Sequence, residues 1–289
     1  MEEFLNYDYR KIFQTIRGLK PILQYAACAK FFDLIRPYFC CCNLNAENKL
    51  FFRVRSHPHP SKDFYFYNNS DLSFRTDFFN INSYGRCNGP FESIFYCSDH
   101  PMISFLEVTN LSKKENRSKS NYYTTGIWQA KQSLSLTPIL ENQRRSFRND
   151  QLTKITNNYL KTIDNLPNYS KKEELKEFHR IIGREFTKDF SSDQNVYLLS
   201  AAISNYLLNS SNNQRIKIEG LLYPTCIKHG AVREIGLNYA FDPCVIGYNK
   251  KIEFVGAYRS KMEKRKEGYY QTELQYCKKM NRNTGEILW

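Results

Sequence analysis

Apolar residues recur along this chain with two periods, and the periods divide it into elements. Leu50-Phe51-Phe52-Arg53-Val54-Arg55-Ser56 is a short run of β-formers and predicts a strand. Similar runs predict strands over Ser93–Cys97, Tyr122–Ala130, Ser133–Ile139, Ile216–Tyr223, Leu237–Phe241, Cys244–Tyr248 and Ile252–Tyr258. Helical spacing appears elsewhere. Ile12, Ile16 and Leu19 share a face, and a second segment, Leu23–Ile35, precedes Pro37. Ser98-Asp99-His100-Pro101 is a helix entry with Ser98 or Asp99 as cap, and Met102, Phe105 and Leu106 follow at helical spacing. Residues 141–192 are charged, helix-prone and broken at Pro167, with a stripe of Phe178, Ile181, Ile182 and Phe186 that reads as core packing. Val196, Leu199, Ile203, Tyr206 and Leu207 predict an amphipathic helix over 193–209, with Asp193 at its start. Residues 61–83 read as a long aromatic loop with short strand pieces.

Strands and helices mix without strict alternation, which predicts an α+β fold rather than a doubly wound sheet. Three regions follow. Residues 1–45 form an N-terminal helical extension, residues 46–258 a mixed-sheet core with helical insertions, and residues 259–289 a basic, polar C-terminal tail. Capping the core and making an oligomer contact are both open roles for the extension.

Composition changes this picture in a few places. The chain has 289 residues, 41% of them hydrophobic, which is enough for a sizeable core. Phe and Tyr number 21 each, which predicts an aromatic core with hydroxyls at its rim. The net charge of +13 attracts polyanions: nucleic acid, an acidic partner or a phosphate-bearing ligand. The basic residues concentrate at Lys113–Lys119, Arg144–Arg148 and Lys261–Lys266, without a helix-turn-helix or zinc-finger pattern, so direct nucleic-acid binding is not the expectation. Nine cysteines, no basic and apolar leader and no long uncharged apolar run predict a cytoplasmic chain with reduced thiols and no membrane span. Cys40-Cys41-Cys42 has no matching Cys-x-x-Cys pair and reads as small buried residues; no metal site is expected. His57-Pro58-His59-Pro60 reads as a solvated turn.

The chemistry concentrates in Tyr84–Val108. Gly85-Arg86-Cys87-Asn88-Gly89-Pro90 is a turn holding a cation. The strand after it ends near Tyr96, and the helix after that carries Glu107. This order resembles the RES family, bacterial toxins that consume NAD and are similar to ADP-ribosyltransferases in fold. The family's motif is a Gly-Arg-x-Asn turn, an apolar strand ending near Tyr and a helix ending in Glu-Val. Its earlier arginine is matched by Arg53, and its late Gly-x-x-Tyr-Pro-Ser by Gly220-Leu221-Leu222-Tyr223-Pro224-Thr225, where Thr replaces Ser. A Gly-x-Asn element follows in the family; His229-Gly230-Ala231-Val232-Arg233 has no Asn, and whether Asn238 compensates is open. The resemblance spans roughly residues 48–245.

The resemblance implies that NAD is a substrate, not a cofactor. It also implies a mixed-sheet core similar to ADP-ribosyltransferases, and neutralisation by a separate helix-turn-helix antitoxin. Breaking the nicotinamide–ribose bond requires a grip on the pyrophosphate, an oriented nicotinamide and a negative charge near the ribose. Arg53 and Arg86 suit the first, since guanidinium forks grip phosphate oxygens. Tyr96 suits the second and Glu107 the third. Asn88 and Thr225 complete the NAD-binding set that the resemblance implies. Position alone would make Arg86 an exposed cation, Glu107 a surface ion-pair partner and Tyr96 a core residue. Arg55 points to the same side of its strand as Arg53, and geometry does not separate them. No Gly-x-Gly-x-x-Gly follows a strand, which argues against a dinucleotide-recycling dehydrogenase. The acceptor of the ADP-ribosyl group is open among water, phosphate and a protein side chain. A non-catalytic basic binding protein is the further alternative.

Overall fold

The computed structural model describes residues 9–20, 24, 26–28, 42–44, 47–58, 63–112, 122–140, 150–165, 172–188, 195–209, 217–225, 236–265 and 268–289. The expectations for Pro37, Cys40, Cys41, His59, Lys113–Lys119, Arg144–Arg148, Pro167, Asp193, 226–235 and Lys266 lie outside the described residues, as does most of Leu23–Ile35. The fold is α+β, with both parallel and antiparallel strand pairs. Among the described residues no helix is long and apolar enough to cross a membrane. The chain divides into two compact units: residues 1–43, 77–93 and 135–235, and residues 44–76, 94–134 and 236–289.

The first unit is rich in helices. Helix α1 is Tyr9–Gly18, and its Ile16 is buried. The extension is not helical to its end, because Cys42–Leu44 is a short strand, β1. Strands β5 (Leu134–Pro138) and β6 (Gly220–Tyr223) pair in parallel, with Leu136 opposite Gly220. Helix α3 is Asp150–Asp164 and α4 is Lys172–Phe186. The α4 stripe of Phe178, Ile181, Ile182 and Phe186 is buried as its spacing requires. His179 on α4 shares a 2.5 Å hydrogen bond with the Tyr159 hydroxyl on α3. Arg17 of α1 and Lys188 both pair with the buried carboxylate of Glu185. Helix α5 runs Leu198–Asn209, starting later than its spacing predicts. It is buried on more than one side: Ala201, Ala202 and Ser204 are covered as well as Leu199, Ile203 and Leu207. Its buried hydroxyls are satisfied on backbone carbonyls, Ser200 on Tyr197 at 3.0 Å and Ser204 on Ser200 at 2.8 Å.

The second unit is built on an antiparallel sheet. Its strands are β2 (Leu50–Ser56), β3 (Phe95–Ser98), β4 (Tyr122–Ala130), β7 (Asn238–Phe241), β8 (Ile252–Arg265) and β9 (Gly268–Tyr276). They lie in the order β7-β3-β2-β4-β8-β9. Register fixes two faces. Phe51 pairs with Trp128 and Arg53 with Gly126, so these residues share one face. That face is aromatic: the Phe51 ring lies 5.0 Å from Tyr239 and 5.1 Å from Phe241, and Trp128 lies 5.0 Å from Phe95 and 5.2 Å from Phe254. The other face carries Tyr96 and Ser98 of β3 and, by register, Ala240 and Asn238 of β7. Helix α2 (Pro101–Ser112) follows β3 at once and packs on this second face, where Phe105 meets Tyr123 edge-on at 4.9 Å. The Ser104 hydroxyl accepts from the Val54 amide at 3.1 Å and pins α2 to β2.

Three stretches differ from their sequence expectations. Cys244–Tyr248 is no strand: Pro243–Val245 is a 3-10 turn, because Asp242 caps it by accepting from the Cys244 amide at 2.9 Å and Pro243 occupies its first position. Residues 61–83 contain 3-10 turns at Asn69–Leu72 and Phe78–Asn80 rather than strand pieces. Residues 259–276 continue the sheet, since β8 runs on to Arg265 and pairs with β9, while the short strands β10 (Lys279–Met280) and β11 (Ile287–Leu288) pair with each other as a separate two-stranded sheet.

Candidate functional site

Helix α2 starts at Pro101, whose missing N–H costs nothing at a helix N-terminus. The cap is neither Ser98 nor Asp99. The His100 ring nitrogen Nδ1 accepts from the Met102 amide at 3.2 Å. Asp99 instead joins β3 to β7, where its carboxylate accepts from the Leu237 amide at 2.7 Å, the Tyr239 hydroxyl at 3.1 Å and Lys49 Nζ at 2.9 Å. With Asp99 so placed, α2 brings Glu107 to the face that holds Ser98 and Asn238.

There a row of polar contacts forms. The Ser98 hydroxyl donates to Asn238 Oδ1 at 2.7 Å, and Asn238 Nδ2 donates to Glu107 Oε1 at 2.7 Å. Ser98 is 1% exposed and Asn238 3%, while Glu107 is half-buried. Tyr96 is half-buried on the same face, two residues from Ser98 and opposite Ala240. The structure therefore brings Tyr96 and Glu107 to one face and adds Ser98 and Asn238, which sequence reasoning did not assign. In the sequence Ser98 stood out only as a cap candidate and Asn238 only as a stand-in for the missing Gly-x-Asn; neither signal pairs them with each other or with Glu107.

Arg53 lies on the aromatic face. Its Nε donates to the Ser73 carbonyl at 3.0 Å and its Nη1 to the Tyr96 carbonyl at 2.5 Å, with the guanidinium 5.3 Å from the Phe95 ring centroid. Arg55 Nη2 donates to the same Ser73 carbonyl at 2.7 Å, as two residues on one side of a strand must to share an acceptor. Arg53 thus touches Tyr96 through its backbone, and its guanidinium braces β3 against the loop at Ser73.

The remaining sequence-assigned residues belong to the first unit. The turn at Arg86 closes with Gly85 N–H on the Asn88 carbonyl at 2.9 Å. The buried Asn88 side chain donates to the Gly89 carbonyl at 2.9 Å, and the Gly89 amide donates to Glu92 at 2.6 Å. Arg86 reaches the C-terminus of α4. It donates to the carbonyls of Phe186 and, at 3.3 Å, Lys188, and to the Tyr197 hydroxyl at 3.0 Å, with its guanidinium 4.6 Å from the Tyr197 ring centroid. A cation at those carbonyls also meets the negative end of the helix. Thr225, two residues past β6, is buried.

His57 corrects the solvated reading of its turn. It is 3% exposed, flanked by Phe64, Phe66 and Tyr122, and its Nε2 lies 2.8 Å from the Thr124 hydroxyl. Burial, and then the nearby Arg259 charge, push its pKa down to about 4. Burial likewise pushes the Cys97 thiol well up, which leaves it a neutral core group.

Compared with protein-family models, with curated proteins and with solved structures, the chain matches none.

Proposed function

We propose that this chain is a RES-like enzyme that consumes NAD by cleaving its nicotinamide–ribose bond. The observation that carries the reading is Glu107, half-buried and held by Asn238 on the face that also carries Tyr96. A carboxylate fixed in position is what oxocarbenium chemistry on a ribose uses. The motif order supports the reading further. Gly236-Leu237-Asn238 supplies a Gly-x-Asn sequence after Thr225, downstream of the segment that lacked the Asn.

In this reading the C1′–N bond breaks with its electron pair leaving on nicotinamide. Positive charge grows on the ribose, and the Glu107 carboxylate stabilises it. Tyr96 orients the nicotinamide. Arg53 supplies positive charge toward the pyrophosphate; Arg86, Asn88 and Thr225, which belong to the first unit, are NAD contacts by the family resemblance alone. Both guanidiniums already donate to backbone carbonyls, so they offer charge more than an unoccupied fork. The acceptor that closes on C1′ is water, phosphate or a protein side chain. The reading carries with it an ADP-ribosyltransferase-like core, a cytoplasmic site of action and a helix-turn-helix antitoxin as partner.

The test is nicotinamide release from NAD by the purified chain, alone, with phosphate and with cell lysate. Glu107→Gln is expected to slow release by about two to three orders of magnitude, the scale of losing one transition-state electrostatic contact. Turnover unchanged in that variant, or absent from folded wild type with every acceptor, removes the proposal. Label from NAD retained on a protein identifies transfer; free ADP-ribose identifies hydrolysis.

A further inference from the structure

Ser98 has no part in the chemistry just described, yet its hydroxyl is spent on one buried amide. Asn238 has two kinds of polar atom, an oxygen that accepts and a nitrogen that donates. The Glu107 carboxylate only accepts, so the nitrogen must face it. The oxygen then faces Ser98, whose hydroxyl must donate. One placement of hydrogens satisfies the row Ser98–Asn238–Glu107, with 2.7 Å at each step. The first two members are 1% and 3% exposed, so water offers little alternative to either contact. Strand register sets the spacing, since Ser98 and Asn238 are directly opposite one another on β3 and β7.

We propose that Ser98 is a positioning residue for Glu107, acting through the amide of Asn238. Without its hydroxyl, Asn238 Oδ1 is buried without a donor. The amide then gains by rotating away, and a rotated amide presents oxygen to a carboxylate oxygen. Glu107 loses the Asn238 contact that helps to orient it. Outer partners of metal ligands change activity by about 10- to 100-fold, and the lower end of that scale is taken for Ser98 by analogy. The inference rests on the NAD-cleavage reading for its kinetic consequence, and on the hydrogen-bond row alone for its structural one.

The experiment is a double-mutant cycle on nicotinamide release, with side-chain amide NMR beside it. Ser98→Ala is expected to lower kcat about 10-fold and leave KM for NAD within about 2-fold. In an Asn238→Ala background the same change is expected to add less than about 2-fold, because its route to Glu107 is already cut. Ser98→Cys, which keeps the shape and a weak donor, is expected to fall between serine and alanine and guards against a folding failure. Full additivity of the two alanine changes overturns the proposal. If wild type releases no nicotinamide, the NAD reading fails by itself and NMR decides the inference. The Asn238 amide protons are expected to exchange slowly in wild type and fast in Ser98→Ala. Fast exchange in wild type overturns the proposal.

Discussion

The two faces of the second unit's sheet use the same strands for opposite ends. On one face, alternate residues place Phe51, Phe95, Tyr239, Phe241 and Trp128 in edge-on contact, and nearly all of their surface is removed from water. On the other, the intervening residues include Tyr96, Ser98 and Asn238, and the helix above them sets a half-buried carboxylate on the row. The charged groups differ in kind as well. The cation of the aromatic face, Arg53, donates to two backbone carbonyls and so braces the chain. The anion of the polar face, Glu107, is held by a side-chain amide that is itself held. A pleated strand lets both coexist, because neighbours in sequence point to opposite faces. Stability and the proposed chemistry are therefore expected to be separable by mutation.

The largest expected separation comes from Glu107→Gln. Its loss of about two to three orders of magnitude in turnover corresponds to about 3–4 kcal/mol in the transition state. Folding stability is expected to move by less than about 1 kcal/mol, since glutamine still accepts from Asn238 through its carbonyl. Denaturant melts of the variant beside its kinetics read both quantities. A large fall in both would place Glu107 with the brace residues and dissolve the contrast.

Arg53→Met makes the converse cut. It strips two charge-assisted donors, one from the buried Ser73 carbonyl and one from the part-buried Tyr96 carbonyl, and the expected loss of stability is about 3 kcal/mol. KM for NAD is expected to rise less than about 3-fold, as loss of distant charge requires. A rise beyond about 10-fold with stability intact would instead make Arg53 a direct pyrophosphate ligand.

The elements of this sheet were legible where periodicity is local. Leu50–Ser56 and Tyr122–Ala130 hold the bounds their β-rich runs predict, and Pro101 marked the start of α2. What pattern did not show arises at long range. Ser98 and Asn238 are 140 residues apart and meet only through strand register. The aromatic wall that buries His57 comes from Phe64, Phe66 and Tyr122, which its own turn does not reveal. The outer strand β9 alternates Tyr270, Thr272, Leu274 and Tyr276 with Gln271, Glu273 and Gln275, a period-2 signal that the basic, polar composition of the segment outweighed, so it read as a tail. Asp242 and Pro243 set a capped 3-10 turn, Pro243–Val245, over the start of the apolar run Cys244–Tyr248.

The pH dependence of stability is expected to come from the aromatic face. His57 is held neutral there, with its pKa near 4 folded against an ordinary value of 6.5. Between those values the unfolded chain takes up a proton that the folded chain refuses, so stability falls as pH drops from about 6.5 to about 4 and is fully present above. The contribution is about 2 kcal/mol after discounting for solvent screening. Arg259, stacked 4.4 Å from the Tyr122 ring centroid, and Glu273, which accepts from the Tyr122 hydroxyl at 2.8 Å, are charges that touch this cluster. Melting His57→Leu at pH 7 and pH 5 isolates the histidine. A slope that survives the substitution would assign it to carboxylates elsewhere.

The smallest and cleanest cut is Gly126→Ala. Gly126 sits opposite Arg53, and a Cβ there would lie 3.0 Å from Trp128 Nε1, 3.2 Å from Leu72 Cβ and 3.5 Å from Phe254. Those contacts are tight without being impossible, so the indole and Leu72 must shift by a few tenths of an ångström. Overpacking of this degree costs about 1 kcal/mol. The opposed gain is the reduced freedom of the unfolded chain when glycine becomes alanine, about 0.4–1 kcal/mol. The net expectation is a loss of under about 1 kcal/mol with a measurable change in Trp128 fluorescence, because the indole is the group displaced. The polar row lies on the opposite face, so kcat for NAD is expected to stay within about 2-fold of wild type. A fall in kcat with the fold intact would mean that the two faces are mechanically coupled through β4 and β2, and that the separation argued above does not hold.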